Sequence, residues 1–344
     1  MQSSPLISVI IVVWNSKAYL ATCLSKLGIQ TFQDFEIILI DNGSDDGALD
    51  NLEESYPSLH LKTKRLDTNH GFAVANNIGA RLARGQWLAL LNADAFPEPD
   101  WLENLLKTVK DHPDFSCFSS RQIQVKNPGY LDGTGDAYHV SGVAWRRNID
   151  DPSNQFGDKL EEIFSPCAAA ALYWRDAYLE VGGFDEDFFS YFEDVDLGFR
   201  LRLSGYRALY VPDAVVYHVG SATLGMNSDF SLYYSHRNLV WTFFKNMPTN
   251  LFVRYFPAHI IVNLSYLLVY VISGRGKVLW KAKWDAICGL PSILKKRKNI
   301  QQTRRVTNNE LVRSMERGWM QSYIRSFRHR YNLIKLHVGG SQHR

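Results

Sequence analysis

The sequence predicts an α/β protein whose mostly parallel central sheet is flanked by helices on both faces. Apolar runs of strand length lie at residues 7–14, 35–40 and 86–94, and turn-forming residues bound each run. Such runs are typical of strands buried on both faces of a sheet. Segments 17–29 and 71–84 alternate with them and carry apolar residues at helical spacing. Strands and helices that alternate at this spacing form parallel sheets.

The other elements are predicted from weaker local patterns. Between the apolar runs at 35–40 and 86–94, residues 46–55 are predicted to form a helix and residues 59–66 a third, less apolar strand. Beyond residue 112 the spacing becomes irregular, because glycines interrupt it. From there we predict strands at 115–125 and 138–147, a turn or loop at 128–136, a polar loop at 150–162, a small apolar segment at 168–173, helices at 175–181 and 193–203, and short strands at 206–211 and 214–218.

Charge is distributed very unevenly along the 344 residues. The net charge is only +3, but residues 274–344 hold 17 Lys+Arg against 3 Asp+Glu, which is +14 and leaves −11 on residues 1–273. An acidic body with a basic tail indicates that the tail meets an anionic surface, either phospholipid or nucleic acid. None of the four cysteines forms a CxxC pair, and the N-terminus lacks a basic n-region. We therefore expect reduced thiols and no signal peptide.

The C-terminal part differs in character, and we predict a boundary between a catalytic domain at 1–235 and a helical, membrane-associating region at 236–344. Residues 259–273 are apolar, yet a spanning helix needs about 20 apolar residues, so a re-entrant or interfacial helix fits better. The alternative is a core helix packed on the catalytic domain. Membrane contact is predicted for residues 250–305, with Trp280 and Trp284 at the lipid headgroups and the basic run 295–298 attracted to anionic lipid.

Two buried strands end in acidic residues. The strand at 35–40 is followed by Asp41, and the strand at 86–94 ends in Asn92 and Asp94. Ligands of open α/β sheets bind at the carboxyl ends of the strands. Either acid alone could simply cap the next helix, but two at one edge indicate a nucleotide and metal site. Asp41 could bind a nucleobase or ribose, Asn92 a sugar hydroxyl, and Asp94 a Mg²⁺ or Mn²⁺ ion beside a diphosphate.

A glycine-containing turn before the helix at 71–84 is a further candidate contact for a nucleotide. Asn69 and Gly71 lie in this turn, and Asn77 lies in the helix. Gly71 permits close approach of the backbone, and a helix N-terminus favours phosphate. The segment is neither a Walker loop nor a GxGxxG fingerprint, so kinase and dehydrogenase functions lose support.

Acids also cluster at the start of the helix at 193–203. Glu193, Asp194 and Asp196 all lie in its first turn, where acids commonly complement the helix dipole. One of them could instead act as a general base, and Asp194 is the first choice, Glu193 the second. Asp196 is expected to be structural. His218 ends a strand-like segment, and it is either structural or a further metal ligand beside Asp94.

Taken in order, these motifs resemble those of family 2 glycosyltransferases, which have the Rossmann-like GT-A fold. The resemblance covers residues 7 to about 240 and is carried by SVIIVVWN, EIILIDNGSDDG, NHGFAVANNIGARLARGQWLALLNAD and GGFDEDFFSYFEDVDLGFRLRLSGYRALYVPDAVVYHVGS. Within the family, the chain is most similar to bacterial rhamnosyltransferase-like enzymes of cell-surface polysaccharide synthesis. Many members have Asp where this chain has Asn92, and Asn is common in the rhamnosyltransferase-like branch.

The resemblance implies that a sugar is transferred with inversion to a hydroxyl of a lipid-linked or polysaccharide acceptor, with help from Mg²⁺ or Mn²⁺. The donor that it favours is dTDP-rhamnose, which would supply rhamnose. The enzyme would work at the cytoplasmic face of the bacterial inner membrane, as a peripheral or re-entrant protein. The residue roles that the resemblance implies are Trp14 and Asp41 at the base and ribose, Asn69, Gly71 and Asn77 along the donor, Asp94 and His218 at the metal, and Asp194 of the Glu193–Asp194 pair as the base.

Several alternatives remain at this stage. The same reaction could use a UDP-sugar. The chain could be a catalytically silent sugar-nucleotide-binding partner, but the presence of Asp94, Asp194 and His218 together argues against this. A nucleic-acid-binding protein is suggested only by the basic tail, and no RNP, zinc or helix-turn-helix signature accompanies it. A nucleotidyltransferase would usually need a glycine-rich loop after the first strand, where this chain has WNSK.

Overall fold

The chain folds around one large sheet. The structure is a computed structural model that describes residues 4–220 and 228–318. Its strands are β1 Ile7–Val13, β2 Phe35–Asp41, β3 Leu61–Arg65, β4 Trp87–Leu91, β5 Ala95–Pro97, β6 Cys117–Gln124, β7 Leu131–Gly133, β8 Asp136–Tyr138, β9 Ala144–Arg146, β10 Glu161–Ile163, β11 Ala170–Trp174 and β12 Ala208–His218. Its helices are α1 Lys17–Gly28, α2 Leu52–Ser55, α3 Phe72–Leu82, α4 Trp101–Asp111, α5 Arg175–Glu180, α6 Glu193–Leu203, α7 Asp229–Asn246, α8 Thr249–Ile272, α9 Gly276–Gln302 and α10 Asn308–Arg313, with a 3₁₀ turn at Glu186–Phe188.

The predicted fold class, a mostly parallel sheet with flanking helices, is confirmed. Within the described residues, the main sheet runs in the order β10-β12-β6-β11-β4-β1-β2-β3, and β5 and β7 pair with β12 and β6. Strands β3, β2, β1 and β4 are parallel neighbours, and β6 and β12 are also parallel to each other. Only β11 and β10 run against this direction on the main path. Strands β8 and β9 form a separate antiparallel hairpin.

Burial on both faces explains why the central strands are mostly apolar. Every residue of β2 and β4 is buried, and so is every residue of β1 except Val12. Because alternate side chains point to opposite faces of a sheet, these strands supply two apolar clusters, one on each side. Helices α1 and α4 cover one face, and α3 covers the other. Removal of apolar surface from water is thus the main force that stabilises the sheet.

Two predicted elements in the first half differ from the structure. The helix predicted at 46–55 shrinks to α2, because Gly47 and Asn51 have φ angles of +70° and +57°, which a helix cannot contain. The single strand predicted at 138–147 is instead the end of the β8–β9 hairpin, which turns at Gly142 with φ +93°. In both places residues at positive φ override the local pattern on which the prediction depended.

Three further predictions change in the second half. The predicted turn at 128–136 contains β7, and the predicted polar loop at 150–162 runs into β10. The strands predicted at 206–211 and 214–218 are one strand, β12, with an irregularity between Val211 and Val215. Pro212 lies at this irregularity and has no N–H to donate, so pairing is interrupted there while the strand continues.

The apolar segment predicted at 259–273 is the second half of the longer helix α8. The predicted segment was too short because Arg254 interrupts the apolar run, although it does not interrupt the helix. Among the described residues, α8 is the one helix that is long and apolar enough to cross a membrane, and 22% of its most apolar part is buried. Residues 319–344 of the predicted basic tail lie outside the described residues.

Helix α7 joins the C-terminal helices to the sheet domain through buried charges. Lys245 lies 2.5 Å from the Asp185 carboxylate and 2.7 Å from that of Asp196, and all three side chains are buried. Asp196 also accepts hydrogen bonds from Arg200 and Asn246 at 2.8 and 2.7 Å. These contacts occupy Asp196 in holding α6 to α7. The predicted domain boundary at residue 235 lies inside α7, and the division of the chain at this point remains a prediction.

Candidate active site

The carboxyl ends of β1 and β2 bring together two of the predicted nucleotide contacts. Val13 pairs with Asp41 across the parallel ladder, so Trp14 and Asp41 lie at the same edge of the sheet. Trp14 is half-buried, and the Asp41 carboxylate accepts a hydrogen bond from the Ser44 N–H at 2.9 Å. This bond uses one oxygen of Asp41 to shape the turn. The other oxygen has no recorded contact among the described residues, so it is the one suited to a ligand.

Asn42 ties the predicted donor turn to the strand edge. Its amide donates to Asn69 Oδ1 at 2.9 Å and accepts from the His70 N–H at 2.9 Å. Asn69 Oδ1 also accepts from the Gly71 N–H at 2.9 Å. Gly71 has φ +89°, and a Cβ there would lie 2.7 Å from Phe189. Asn42 was not predicted as a site residue, although its position directly after Asp41 at the end of a strand is a signal that could have identified it.

Asn77 is buried and serves a structural role. Its side-chain N–H₂ donates to Phe184 O at 2.8 Å and to Glu186 Oε1 at 3.1 Å. Its Oδ1 accepts from the Tyr178 hydroxyl at 2.8 Å and from the Phe184 N–H at 2.9 Å. A side-chain amide has two donors and two acceptor lone pairs, so all four are used. The Asn77 side chain therefore has no free hydrogen-bonding group for the predicted contact with the donor. It instead links α3 to the segment before the 3₁₀ turn.

The predicted metal ligands Asp94 and His218 are close together. Ala95 pairs with His218 between β5 and β12, and this register places His218 Nε2 3.4 Å from Asp94 Oδ1. Asn92 Nδ2 is also 3.4 Å from this ring nitrogen. The second ring nitrogen, Nδ1, lies 2.9 Å from Asp132 Oδ2. Asp132 thus orients the imidazole and leaves Nε2 facing the edge of the sheet.

The charges around His218 affect its protonation strongly. Burial by itself would lower the pKa of His218, but the hydrogen bonds to Asp132 and Asp94 outweigh it and raise the pKa to about 9. Burial likewise opposes ionisation of Asp132, yet the contacts with His218 and Arg146 lower its pKa to about 2. At neutral pH the pair is therefore an ionised carboxylate beside a protonated imidazole, and a metal ion at Nε2 would have to displace that proton.

The donor set suits a divalent metal ion. Asp94 offers a carboxylate oxygen and His218 offers Nε2, and both side chains are largely buried yet lie at the ligand-binding edge of the sheet. Metal-binding histidines usually give their other ring nitrogen to a carboxylate, as His218 does to Asp132. Two protein ligands leave room for the oxygens of a diphosphate; the carboxylate and phosphate oxygens suit Mg²⁺ or Mn²⁺, and the imidazole nitrogen suits Mn²⁺ better than Mg²⁺.

A line of alternating charges connects this pair to the predicted base. Asp132 accepts from Arg146 at 3.1 Å, and Arg146 Nε lies 3.8 Å from Asp136 Oδ1. Arg146 and Asp136 face each other because they are paired in the β8–β9 hairpin. The side chain of Asp136 in turn approaches Asp194. Asp132, Asp136 and Arg146 were not predicted, since the sequence around them shows only a glycine-rich turn.

Asp194 and Glu193 occupy different environments, although they are neighbours. Glu193 is buried, its Oε2 has no hydrogen-bond partner among the described residues, and burial raises its pKa well above the usual range. Asp194 is half-buried and accepts from the N–H groups of Val195 at 2.8 Å and Ala168 at 3.4 Å. Burial raises the pKa of Asp194, while Arg146 and these N–H groups oppose the rise. Of the two, Asp194 is the more accessible, and it is the one whose carboxylate accepts N–H hydrogen bonds from two other residues.

Asp136, Cys167 and Asp194 form a second group with the residue types of a metal site. Their ligand atoms all lie within 4.8 Å of one another. Arg146 already supplies positive charge to these acids, and burial raises the pKa of Cys167, so the thiol stays protonated. A neutral thiol is a poor ligand. Burial, together with the charge of Asp194, also raises the pKa of Asp136 to about 8, so this carboxyl is protonated at neutral pH.

The C-terminal helices α8 and α9 expose apolar side chains along their lengths. Helix α8 packs one face on the protein through Leu251, His259 and Tyr266, and its opposite face is exposed. Helix α9 exposes tryptophans between lysines. The exposed apolar side chains, named here the apolar stripe, are Val253, Ile260, Ile261, Leu264, Leu268, Val271 and Ile272 on α8 and Trp280, Trp284, Ile287 and Leu294 on α9.

The predicted lipid-binding run at 295–298 is divided by the helix. Lys295 and Lys298 are exposed beside the apolar stripe. Lys296 instead contacts Asp185 at 2.5 Å and Asp187 at 2.7 Å. Arg297 donates to the carbonyls of Phe244 and Met247 at 2.9 and 2.5 Å, at the end of α7. Only half of the run is therefore available to an external anion, because neighbouring residues on a helix point in different directions.

Comparison with known proteins agrees with these features. The family model for Glycosyl transferase family 2 matches residues 8–182. An N-acetylglucosaminyl-diphospho-decaprenol L-rhamnosyltransferase of Mycobacterium tuberculosis (strain ATCC 25618 / H37Rv) is 29% identical over 258 residues, which cover 67% of this chain and 81% of that protein. The region matched by the family model thus extends from β1 to β11 and includes Asp41 and Asp94.

Two solved structures share the fold. GalNAc-T7 with UDP, GalNAc and Mn²⁺ has a TM-score of 0.56 and 20% identity, over 70% of this chain and 48% of that one. The mannosyltransferase PcManGT of Pyrobaculum calidifontis, in complex with GDP-Man and Mn²⁺, has a TM-score of 0.53 and 18% identity, over 88% and 86%. At this identity the likeness concerns the fold, and it confirms the predicted GT-A architecture.

Proposed function

The chain belongs to glycosyl transferase family 2 and acts as a glycosyltransferase with a nucleotide-sugar donor, and we propose that it transfers L-rhamnose from dTDP-rhamnose with inversion at the anomeric carbon. The rhamnose assignment is supported by the 29% identical rhamnosyltransferase and by Asn92. A UDP-sugar is the alternative donor. The observation that carries the mechanism is the line of charges from Asp94 and His218 to Asp194 along the carboxyl edge of the sheet.

We assign the nucleotide to the edge formed by β1 and β2. The free oxygen of Asp41 suits a base N–H or a ribose hydroxyl, and half-buried Trp14 offers an aromatic surface beside it. The turn through Asn69 and Gly71 would follow the donor, because Gly71 brings backbone close to Phe189 without a side chain between them. Asn92 can hydrogen-bond a hydroxyl of the sugar.

We propose that Asp94 and His218 hold a Mg²⁺ or Mn²⁺ ion. When bound, such an ion neutralises charge that develops on the departing diphosphate. Asp132 keeps the imidazole of His218 oriented for this role through its 2.9 Å contact with Nδ1. Arg146 balances the charge of Asp132 and prevents it from competing as a ligand.

Asp194 is proposed as the general base. Its carboxylate takes the proton of the acceptor hydroxyl as the oxygen attacks the anomeric carbon from the side opposite the diphosphate. The bond from the anomeric carbon to the diphosphate oxygen breaks, and the nucleoside diphosphate leaves with the electron pair. The configuration is inverted by this single displacement. Glu193 is the weaker candidate because its carboxyl is buried and held neutral.

The acceptor is proposed to be lipid-linked and to be met at the cytoplasmic face of the inner membrane. The relative from Mycobacterium tuberculosis is named for a decaprenol-linked acceptor, and the apolar stripe with Lys295 and Lys298 suits an anionic bilayer. Helix α8 would lie along the surface rather than cross it, because one face packs on the protein from Leu251 to Tyr266.

A donor screen tests the proposed function. The purified chain is incubated with Mn²⁺ and, in turn, dTDP-rhamnose, UDP-glucose, UDP-galactose, UDP-N-acetylglucosamine and GDP-mannose, while thermal unfolding and slow donor hydrolysis are recorded. We expect stabilisation by dTDP-rhamnose that requires the metal and is lost in Asp94→Ala. Stabilisation by a UDP-sugar alone would replace the donor. Stabilisation without donor hydrolysis would favour a catalytically silent sugar-nucleotide-binding partner, and no response to any donor from the folded protein would favour a nucleic-acid-binding protein.

A further inference from the structure

The loop that leads into the proposed base has an unusual backbone. Phe189, Tyr191 and Phe192 have φ angles of +65°, +66° and +68°. Bulky L-residues rarely adopt this left-handed region, and such residues persist only where the surrounding structure holds them. Glu193 and Asp194 follow immediately as the first residues of α6. The direction in which Asp194 enters the site therefore depends on whatever holds this loop.

The loop is held by one side-chain amide on α7. Asn238 Nδ2 lies 3.0 Å from Phe188 O, 3.1 Å from Ser190 O and 2.7 Å from Tyr191 O. Asn238 is fully buried, and its Oδ1 accepts from Arg237 Nε at 2.9 Å. Three carbonyls that converge on one point need a donor group with two hydrogens, which a short amide supplies and an aspartate, leucine or alanine does not.

Arg237 adds a second hold on the same backbone. Its guanidinium donates to Asp187 O at 2.8 Å and to Phe188 O at 3.0 Å. The ring of Trp241 lies 4.1 Å below the guanidinium and supports it. Asn238 and Arg237 together are named here the α7 clamp. The clamped loop also contacts the donor turn, since Ala73 N–H donates to Phe189 O at 3.3 Å.

We propose that Asn238 is a positioning residue for the sugar transfer, because it holds the strained loop that directs Asp194 towards the acceptor hydroxyl. Helix α7 then belongs to the catalytic apparatus, although its sequence shows only aromatic character. This inference depends on the proposed role of Asp194. The clamp does not touch Asp41 or Asp94, and among the described residues the loop that it holds contacts the donor turn only through Phe189. We therefore expect its loss to impair the transfer step more than the binding of the donor nucleotide.

The test compares Asn238→Ala with Asn246→Ala in the full chain. Both asparagines are fully buried on α7, but Asn246 donates to Asp196, and within the described part of the chain its side chain makes no hydrogen bond to the loop. For Asn238→Ala we expect kcat to fall about 10- to 100-fold, as for a misplaced catalytic group, with the Kd for dTDP-rhamnose within twofold. For Asn246→Ala we expect a similar loss of thermal stability but kcat within threefold.

Hydrogen exchange of amides 186–194 supplies a readout that does not need activity. We expect exchange there to accelerate at least tenfold in Asn238→Ala and not in Asn246→Ala. Equal kcat in wild type and Asn238→Ala, or unchanged exchange, would overturn the clamp while leaving the proposed function intact. Absence of transfer by the wild type would instead overturn the proposed function, and exchange would still decide whether Asn238 holds the loop.

A second variant covers the case in which Asn238→Ala does not fold. Arg237→Met keeps an unbranched apolar stem over Trp241 but loses both hydrogen bonds to Asp187 O and Phe188 O. We expect the same pattern with a smaller size, namely kcat lowered about threefold to tenfold with donor binding unchanged. A variant that binds and transfers as the wild type does would count against the clamp.

Discussion

The divided basic run on α9 offers a prediction whose size follows from the structure. Lys295 and Lys298 are exposed beside the apolar stripe, so each should contribute about 1 kcal/mol to binding of anionic lipid. The double variant Lys295→Ala/Lys298→Ala should therefore lose about 2 kcal/mol, or about 30-fold in affinity. Its stability should stay within about 0.5 kcal/mol of wild type per site, as for other exposed positions. Co-sedimentation with vesicles containing anionic lipid, read at low and high salt, measures the affinity.

The matched control replaces the two other members of the run. Lys296→Met/Arg297→Met keeps the exposed lysines and removes contacts inside the protein. We expect a loss of about 3 kcal/mol of stability, about 1 from the partly exposed Lys296 pairs and about 2 from the carbonyl bonds of Arg297. Vesicle affinity of the folded protein should change little. Equal loss of vesicle affinity in the two double variants, or no loss in either, would refute the reasoning.

Three further predictions concern stability. Lys245→Met leaves two buried carboxylates short of a cation and should cost about 3–5 kcal/mol in urea unfolding, so a loss below about 1 would contradict the buried ion cluster. Asp136 has a pKa of about 8, raised mainly by burial, against about 4 when unfolded, so wild-type stability should fall as the pH rises from about 4 to 8. Asp136→Asn should remove this fall and be more stable than wild type by at least about 1 kcal/mol at pH 8, and parallel pH profiles would exclude the assignment. Gly71→Ala should cost about 1–3 kcal/mol and weaken dTDP-rhamnose binding, because its Cβ would meet Phe189 at 2.7 Å, whereas Gly205→Ala, also at positive φ but in open space, should leave donor binding unchanged.

Local patterns were sufficient for the central strands of the sheet. The apolar runs of β1, β2 and β4 are buried along almost their whole lengths. A strand buried on both faces can be predicted from its own apolar residues, without knowledge of its partner strands. The same patterns placed Asp41 and Asp94 correctly at the carboxyl edge, because a strand end is a property of the strand itself. His218 could also be proposed from its position after an apolar segment, and it lies 3.4 Å from Asp94.

Patterns failed where a single residue or a distant partner decided the outcome. Gly47 and Gly142, both at positive φ, changed a helix and a strand that their neighbours favoured. Asn77 looked like a ligand contact in the sequence, but residues 101 to 109 positions away use its whole hydrogen-bonding capacity. Spacing along the chain cannot reveal whether a polar side chain is already satisfied.

The sequence by itself determined the sheet, the family to which the chain belongs and the acids at the strand ends, because each depends on residues close together in the chain. Only the tertiary structure showed that Asp132 and Arg146 join His218 to the acids at the start of α6, since this line of charges depends on pairing between separate strands. It also decided that Asn238, 47 to 50 residues from the carbonyls that it binds, holds the loop before Asp194. Hydrogen bonds and ion pairs act over a few ångströms of space regardless of separation in sequence, so such contacts exist only once the chain has folded.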